Sequence, residues 1–423
     1  MKTLKLLAII LQTTLLLAPH FADAADKLTL KEAIDRALTN SPQLKTVAHD
    51  SIIARESVEQ ARSSYLPKVD LQAGYTNLLD PQAIKMPTGS FETQDSRFPF
   101  LSLGIYQTVY DFGRRERRNE QASLHESAVK SGFNAAKQDV ALVTIQTYYS
   151  ILQTQHLLDT ARDEVAQREQ HLKIATSLFE EGVTTRNDLL QADVKLSSSR
   201  LKLLAQQNRL KNSWLALNNL MGQPPEFRAD LAEDTMPLPG ENSLRSIGSR
   251  DEITAQKSVI SAGEAAVKES RDEFYPELFV KGSVDYLKND KVVEQTMYGI
   301  TIGLKVNLFD GLASTSRQRQ AVKQLAKERE RLREMEAGYR IELQSARNDL
   351  EVAAERIEIA NKAIGQSEEN LRINSDRYKA QVGTATDVVD AQTLLSQSRS
   401  DYYQALFDLQ VAKARVKRAA GEL

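Results

Sequence analysis

Residues 317–381 read RQRQAVKQLAKERERLREMEAGYRIELQSARNDLEVAAERIEIANKAIGQSEENLRINSDRYKAQ, a helical pattern that no proline interrupts. Apolar residues recur every seven positions along it, and one stripe consists of Leu343, Leu350, Ile357, Ile364, Leu371 and Tyr378. A second stripe, three or four residues away, consists of Leu325, Leu332, Tyr339, Ala346, Ala353 and Ala360. This heptad pattern predicts helices packed side by side with a left-handed supercoil. At about 1.5 Å per residue, the helix spans roughly 100 Å, more than a compact domain needs.

The same stripe occurs once earlier, at a constant offset of 199 residues. The counterparts of the last five positions are Ile151, Leu158, Val165, Leu172 and Phe179. The offset also holds outside the helix, since Gly104 corresponds to Gly303 and Asp111 to Asp310. A fixed offset over more than a hundred residues indicates an internal duplication. The chain is therefore one structural unit used twice.

The first residues have the features of a secretory signal peptide. Lys2 and Lys5 precede an apolar run, and the small residues Ala22 and Ala24 mark a cleavage site. The apolar run is too short to span a bilayer, and no later segment resembles a spanning helix. We assign residues 1–24 to the signal peptide, 25–222 to the first repeat, 223–248 to a linker and 249–423 to the second repeat.

The composition and motifs exclude several function classes. The chain has no cysteine, which excludes disulfides, thiolate metal sites and a cysteine nucleophile. Its net charge of −2 gives no electrostatic support for nucleic-acid binding. The sequence contains no phosphate-binding glycine loop and no nucleophile elbow, and its histidines lack metal-ligand spacing. We therefore expect no cofactor, no metal site and no enzymatic activity.

Each repeat also contains two stretches whose polarity alternates with a period of two, which is typical of strands. They lie at about 68–77, 101–110, 277–287 and 298–309. Strands of about ten residues with one apolar face have the length and pattern that cross a bilayer in a barrel. A membrane barrel must close, and four strands cannot close around a pore, so several copies would pool their strands. A small soluble sheet is the alternative interpretation.

The turns between the paired helices repeat a short polar motif. Thr185 to Asp188 in the first copy matches Thr384 to Asp387 in the second, and both predict a cap at the start of the returning helix. Asp390 has no such explanation, because its counterpart in the first copy is Gln191. Asp390 is therefore a candidate functional residue.

With these residues in view, the mature chain resembles the TolC-like outer-membrane efflux proteins. The resemblance rests on the segment 28–42, on the junctions around Asp111 and Asp310, and above all on Asp387-Val388-Val389-Asp390-Ala391-Gln392. It implies a mainly α fold with transmembrane β-structure: a long coiled-coil α-barrel in the periplasm and an oligomeric β-barrel in the outer membrane. Each protomer of a homotrimer would contribute four strands.

The resemblance also implies a function, partners and site residues. The protein would be the passive exit duct of a tripartite efflux or type I secretion system, joined through a periplasmic adaptor protein to an inner-membrane transporter. Asp387, Asp390 and Tyr378 would form the periplasmic entrance, although Gly383 stands where the family has a matching arginine. The turns that contact the adaptor would contain Gly182, Val183, Thr184, Val382, Gly383 and Thr384. A periplasmic coiled-coil adaptor or scaffold without a pore is the alternative function, and the cargo stays open.

Overall fold

The computed structural model describes residues 27–240, 247 and 250–423, so the predicted signal peptide lies outside the described residues. The first half contains α1 (Leu30–Asn40), α2 (Pro42–Ser63), β1 (Lys68–Asn77), β2 (Ala83–Met86), β3 (Gly89–Glu92), β4 (Arg97–Tyr110), α3 (Arg114–Glu180) and α4 (Arg186–Met221). The second half contains α5 (Asp251–Asp272), β5 (Glu277–Leu287), β6 (Thr296–Lys305), α6 (Ala313–Lys379) and α7 (Ala385–Ala420).

The helix lengths confirm the internal duplication. Helices α3 and α6 have 67 residues each, and the returning helices α4 and α7 have 36 each. An aspartate lies three residues before the start of each long helix. The carboxylate of Asp111 accepts a hydrogen bond from the Arg115 backbone N–H at 3.0 Å, and Asp310 accepts one from the Ser314 N–H at 2.9 Å. Each carboxylate satisfies an amide that the first helical turn leaves unpaired.

The four long strands form one antiparallel sheet in the order β1-β4-β5-β6. Strand β4 begins at Arg97, four residues before the expected start, because Arg97 pairs with Asn77 at the end of β1. Strand β6 ends at Lys305, so its predicted extension to residue 309 is wrong. Lys305 pairs with Glu277, the first residue of β5, and the preceding Pro276 has no N–H to continue the ladder.

One face of this sheet is apolar and exposed. The registers bring Val69 beside Ile105 and Leu71 beside Leu103, and Ile300 lies on the same face two strands away. The opposite face is polar and carries Asp70, Gln72, Ser102, Ser283 and Asp285. This alternation is the pattern of a sheet with lipid on one side and an aqueous lumen on the other.

A short hairpin, β2–β3, lies inside the segment that the sequence predicts to be an irregular loop between the first two long strands. Ile84 pairs with Phe91, and Met86 pairs with Gly89. The strands have only four residues each, so their alternation is too short to distinguish from a loop by sequence pattern.

The described chain divides into two compact units, and each takes segments from both halves. Residues up to 39, 144–236 and 360–407 form the first unit, and the remaining segments form the second. Because the units do not coincide with the repeats, the repeat boundaries stay a prediction. Within the described part of the chain, no helix is both long and apolar enough to span a membrane.

The core of the first unit contains two adjacent, fully buried tyrosines. The Tyr148 hydroxyl donates to the Leu28 carbonyl at 2.8 Å, and the Tyr149 hydroxyl donates to the Asp234 carbonyl at 2.9 Å. Leu28 also bridges to Leu231 of the linker. These bonds attach the start of α1 and part of the linker to helix α3. In the second unit, Leu343, Ala346, Val416 and Ala419 form a separate buried cluster.

Candidate functional site

The start of α7 presents two carboxylates on one exposed face. Asp387 and Asp390 lie one helical turn apart and are exposed, whereas Val388 and Val389 between them are buried. Asp387 accepts a hydrogen bond from the Thr384 N–H at 3.0 Å, and its own N–H donates to the Thr384 hydroxyl at 3.2 Å. The N–H of Thr384 holds the pKa of Asp387 below its usual range. The predicted cap is therefore confirmed, and Asp390 is not part of it.

The start of α4 repeats this cap. The Thr185 hydroxyl accepts from the Asp188 N–H, and the Thr185 N–H donates to the Asp188 carboxylate; both distances are 3.2 Å. The hydroxyls of Thr185 and Thr184 also donate to Asp188, and they lower its pKa. Asp188 thus has a sufficient structural role, as the sequence predicts.

The two tip turns, residues 181–185 and 380–384, share a left-handed backbone position. Gly182 has φ of 76° in the first turn, and Gln381 has φ of 61° at the corresponding position in the second. Glutamine pays a steric cost there that glycine avoids. Gly383 is also constrained, because a Cβ added to it would lie 3.0 Å from the Arg377 Cβ. An arginine at position 383 would therefore require the second turn to shift.

A buried cation lies within electrostatic reach of Asp390. Arg168 of α3 has only 3% of its surface exposed. Its guanidinium donates to Gln392 Oε1 at 2.9 Å and to Thr393 Oγ1 at 2.8 Å, and it lies 3.4 Å from the Val389 carbonyl oxygen. Burial lowers the pKa of Arg168, while the negative charges of Glu164 and Asp390 oppose that change. Arg168 thus fastens the first turns of α7 to α3.

A second, half-buried contact between the same helices is made by Glu164. Glu164 of α3 accepts from the Ser396 hydroxyl of α7 at 2.8 Å and from the Lys202 ammonium of α4 at 2.7 Å. Burial tends to raise the pKa of Glu164, but these two hydrogen bonds outweigh it and hold the pKa below its usual range. Glu164 therefore stays ionised and holds three helices together.

Tyr378, near the end of α6, lies against a buried histidine of α3. The ring centres of Tyr378 and His171 are 5.8 Å apart. Burial, together with the charge of Arg168, lowers the pKa of His171, so this histidine is neutral at pH 7. The buried Tyr378 hydroxyl has no hydrogen-bond partner among the described residues. Burial and the charge of Asp188 raise the pKa of this tyrosine.

The structure thus places Asp390 within electrostatic reach of Arg168, and Tyr378 against His171. Sequence reasoning missed both Arg168 and His171. Arg168 falls within a long, strongly charged helix, where one more arginine gives no signal. The only available hint was the duplication, since the counterpart of Arg168 is Ser367. No cluster of three or more potential metal ligands occurs among the residues that the structure describes.

A sheet with one apolar and one polar face, together with long heptad helices in the same chain, has the features of an outer-membrane channel protein. The family model for outer membrane efflux proteins matches residues 33–223 and 245–422. The chain therefore belongs to the outer membrane efflux protein family. It is a protein of the outer membrane, and it belongs with efflux and secretion channels rather than with enzymes.

Two curated relatives illustrate the similarity. The outer membrane protein TolC of Vibrio cholerae is 24% identical over 417 residues, which cover 93% of this chain and 91% of the relative. The alkaline protease secretion protein AprF of Pseudomonas aeruginosa is 20% identical over 413 residues, which cover 94% of this chain and 85% of the relative.

Solved structures share the fold. The outer membrane protein VceC of Vibrio cholerae matches with a TM-score of 0.80 at 19% identity, over 93% of this chain and 96% of that one. The CmeC outer membrane channel of Campylobacter jejuni matches with a TM-score of 0.81 at 16% identity, over 93% of this chain and 85% of that one. The expected fold class, a long helical barrel with transmembrane strands and an internal duplication, is confirmed.

Proposed function

We propose that this protein is the passive exit duct of a tripartite efflux or type I secretion system. It works as a homotrimer, coupled through a periplasmic adaptor protein to an inner-membrane transporter. The transporter supplies the energy, so the duct itself carries no catalytic group. The observation that carries the proposal is the four-stranded sheet with one apolar face and two free edges.

The free edges require more than one copy of the chain. Strands β1 and β6 are the edges of the described four-stranded sheet, and each has ladder partners on one side only. In hydrocarbon an unpaired backbone group costs several kcal/mol, so the sheet must close. Pairing β6 of one copy with β1 of the next closes it, and three copies supply twelve strands.

The duplicated helices support the same assembly. On α7, the face around Val389 and Thr393 packs on α3, the long helix of the first repeat of the same chain. The corresponding face of α4 is apolar but exposed, and it carries Leu190, Val194, Leu201 and Leu204. By the symmetry of the duplication, this face fits the long helix α6 of another chain. The protein would then repeat one packing arrangement around a ring.

The entrance of the duct lies at the start of α7. Three copies of Asp387 and Asp390 around one axis would attract cations and resist anions. Arg168 neutralises part of the charge of Asp390 and holds α7 against α3, and the unpaired Tyr378 hydroxyl lies near His171. Opening requires α6 and α7 to move away from the axis, which strains or breaks the Arg168 contacts.

The two tip turns are the proposed contact with the adaptor. Val183 and Val382 are both exposed, so each turn presents an apolar side chain to water. They are flanked by Gly182, Thr184, Gly383 and Thr384, whose backbone shapes the two tips in the same way. Three chains with two turns each would present a ring of six small apolar contacts to a partner.

The cargo is selected by the transporter and not by the duct. AprF and the Dickeya chrysanthemi protein PrtF are named for protease secretion, whereas SepC of Pseudomonas putida is named as a probable efflux pump outer membrane protein. Since one channel architecture serves both secretion and efflux, the duct itself needs only a wide polar lumen.

The first experiment separates the host's membranes on a density gradient and runs the detergent-extracted protein on a gel without heating. We expect outer-membrane fractions and an oligomer that heating converts to monomers. A soluble monomer in the periplasm would contradict the proposal and favour the scaffold without a pore. Reconstitution in a planar bilayer then measures the conductance of the duct.

A further inference from the structure

The hairpin β2–β3 has two unlike faces. Ile84, Met86 and Phe91 share one face, because Ile84 pairs with Phe91 and side chains alternate along each strand. About half of each of these side chains is exposed: 52%, 49% and 53%, respectively. The other face carries Lys85 and Glu92. A lone two-stranded hairpin is marginally stable in water, so its apolar face needs a partner.

The hairpin is attached to its own chain on the polar side. The loop between β5 and β6, residues 288–295, contacts the base of the hairpin through buried Asn289. The Asn289 amide donates to the Thr93 carbonyl at 2.9 Å and accepts from the Asp95 N–H at 3.2 Å. The Lys291 ammonium pairs with Glu92, which lies on the polar face. The chain's own loop therefore leaves the apolar face uncovered.

The strand order indicates what lies on the other side. The hairpin connects β1 to β4, and β4 pairs with β5, so the chain's own 288–295 loop stands on the β4 side. In a closed barrel, β6 of the adjacent copy pairs with β1. The 288–295 loop of that copy then stands on the β1 side of the hairpin. Strand β2, which carries Ile84 and Met86, is the hairpin strand that follows β1 in the chain.

The 288–295 loop has a matching apolar tip. Val293 is 97% exposed and Val292 is 40% exposed, whereas the polar contacts between the loop and its own hairpin come from Asn289 and Lys291. We propose that the apolar face of the β2–β3 hairpin packs against Val292 and Val293 of the adjacent copy. Repeated around the barrel, this contact links each chain to its neighbour at one end of the barrel. The inference rests on the proposed function, because it requires a barrel built from several copies.

The chain has no cysteine, so introduced thiols are the only ones present. We would combine Ile84→Cys with Val293→Cys, oxidise the protein in outer membranes, and run a denaturing gel without reductant. We expect most chains to migrate as covalently linked oligomers that reductant converts to monomers. The matched control combines Lys85→Cys, on the polar face, with Val293→Cys and should stay monomeric on the same gel.

An unheated gel of the same samples shows whether the oligomer itself has formed. If the oligomer is intact but the Ile84 and Val293 thiols stay free, link within one chain, or link no better than the control, the apolar face covers something else, such as lipid or the lumen, and the inference is wrong. If no oligomer forms even for the unmodified protein, the proposed function fails with it.

Discussion

The returning helices α4 and α7 are two copies of one element, and they differ on one face. Their shared features are the threonine–aspartate cap and an ion pair to the preceding long helix. Arg200 contacts Glu169 at 2.8 Å in the first copy, and Arg399 contacts Glu368 at 3.0 Å, 199 residues later, in the second. The two repeats therefore share individual side-chain contacts as well as the same helices.

The difference concerns what covers the next face of each helix. On α7, Val389 is buried and Tyr403 stacks on His156 of α3, with the ring centres 4.3 Å apart. On α4, the corresponding residues Leu190 and Leu204 are exposed. One repeat uses this face inside the chain, and the other leaves it exposed. The difference teaches that duplicated elements can diverge on a single face, and it is the reason that we propose assembly contacts for the first repeat and the entrance for the second.

The largest effect should come from placing charge on the exposed face of α4. Replacing Val194 and Leu201 together by glutamate puts carboxylates where we propose an apolar contact between chains, and burying an unpaired charge costs several kcal/mol. We expect the heat-sensitive oligomer to disappear from unheated gels. The matched control is Lys195→Glu, which changes charge on the same helix at an exposed polar position. An intact oligomer in the double variant would contradict the proposed interface.

The next effect concerns Arg168, whose counterpart in the second repeat is the uncharged Ser367. Arg168→Leu removes charged hydrogen bonds to Gln392 and Thr393, each worth about 1.5–3 kcal/mol. We expect a shift toward open channels by a factor of roughly 100, which corresponds to about 3 kcal/mol. Single-channel recordings in planar bilayers measure it.

The control for Arg168 is Arg200→Leu, which removes an exposed ion pair with Glu169 worth at most about 1 kcal/mol. If the two variants changed the open fraction equally, the buried guanidinium would have no special role at the entrance.

A smaller effect should follow from Asp390, whose counterpart in the first repeat is the uncharged Gln191. Asp390→Ala removes one carboxylate per chain, and a charge near a passing cation contributes about 1 kcal/mol in a wet channel. We expect higher conductance and a cation preference reduced by a factor of about 5. Reversal potentials in a salt gradient measure the preference. Gln191→Ala at the matching position should change neither quantity, and unchanged conductance in Asp390→Ala would refute the role of this residue.

The smallest effect should come from exchanging the left-handed residues of the tip turns. Gln381→Gly removes a side chain from a strained backbone and should stabilise the second turn by about 1 kcal/mol, whereas Gly182→Gln should destabilise the first by a similar amount. Hydrogen exchange of the amides in each turn would measure both changes. Opposite signs are expected, and equal signs would mean that side-chain contacts, not backbone strain, control these turns.

Local patterns were sufficient to predict much of this fold. Heptads give the helices, alternation gives four of the six strands, and the threonine–aspartate spacing gives both caps. The predicted end of β6 at residue 309 was wrong because pairing, not alternation, ends a strand, and β5 offers no partner beyond Glu277. The hairpin containing Ile84 and Phe91 was missed because four-residue strands carry no readable period.

The candidate site also has a part that the sequence predicts and a part that only the tertiary structure shows. The sequence by itself determined the duplication, because the same residues recur at a constant offset of 199 positions. It also determined the alternating strands and the positions of Asp387 and Asp390 at the start of a capped helix, because these depend on residues that are near neighbours in the chain. Only the tertiary structure decided that Arg168 lies buried against residues more than two hundred positions away. Such a contact depends on which helix faces pack together, and a periodic helix shows the same pattern whichever neighbour it meets.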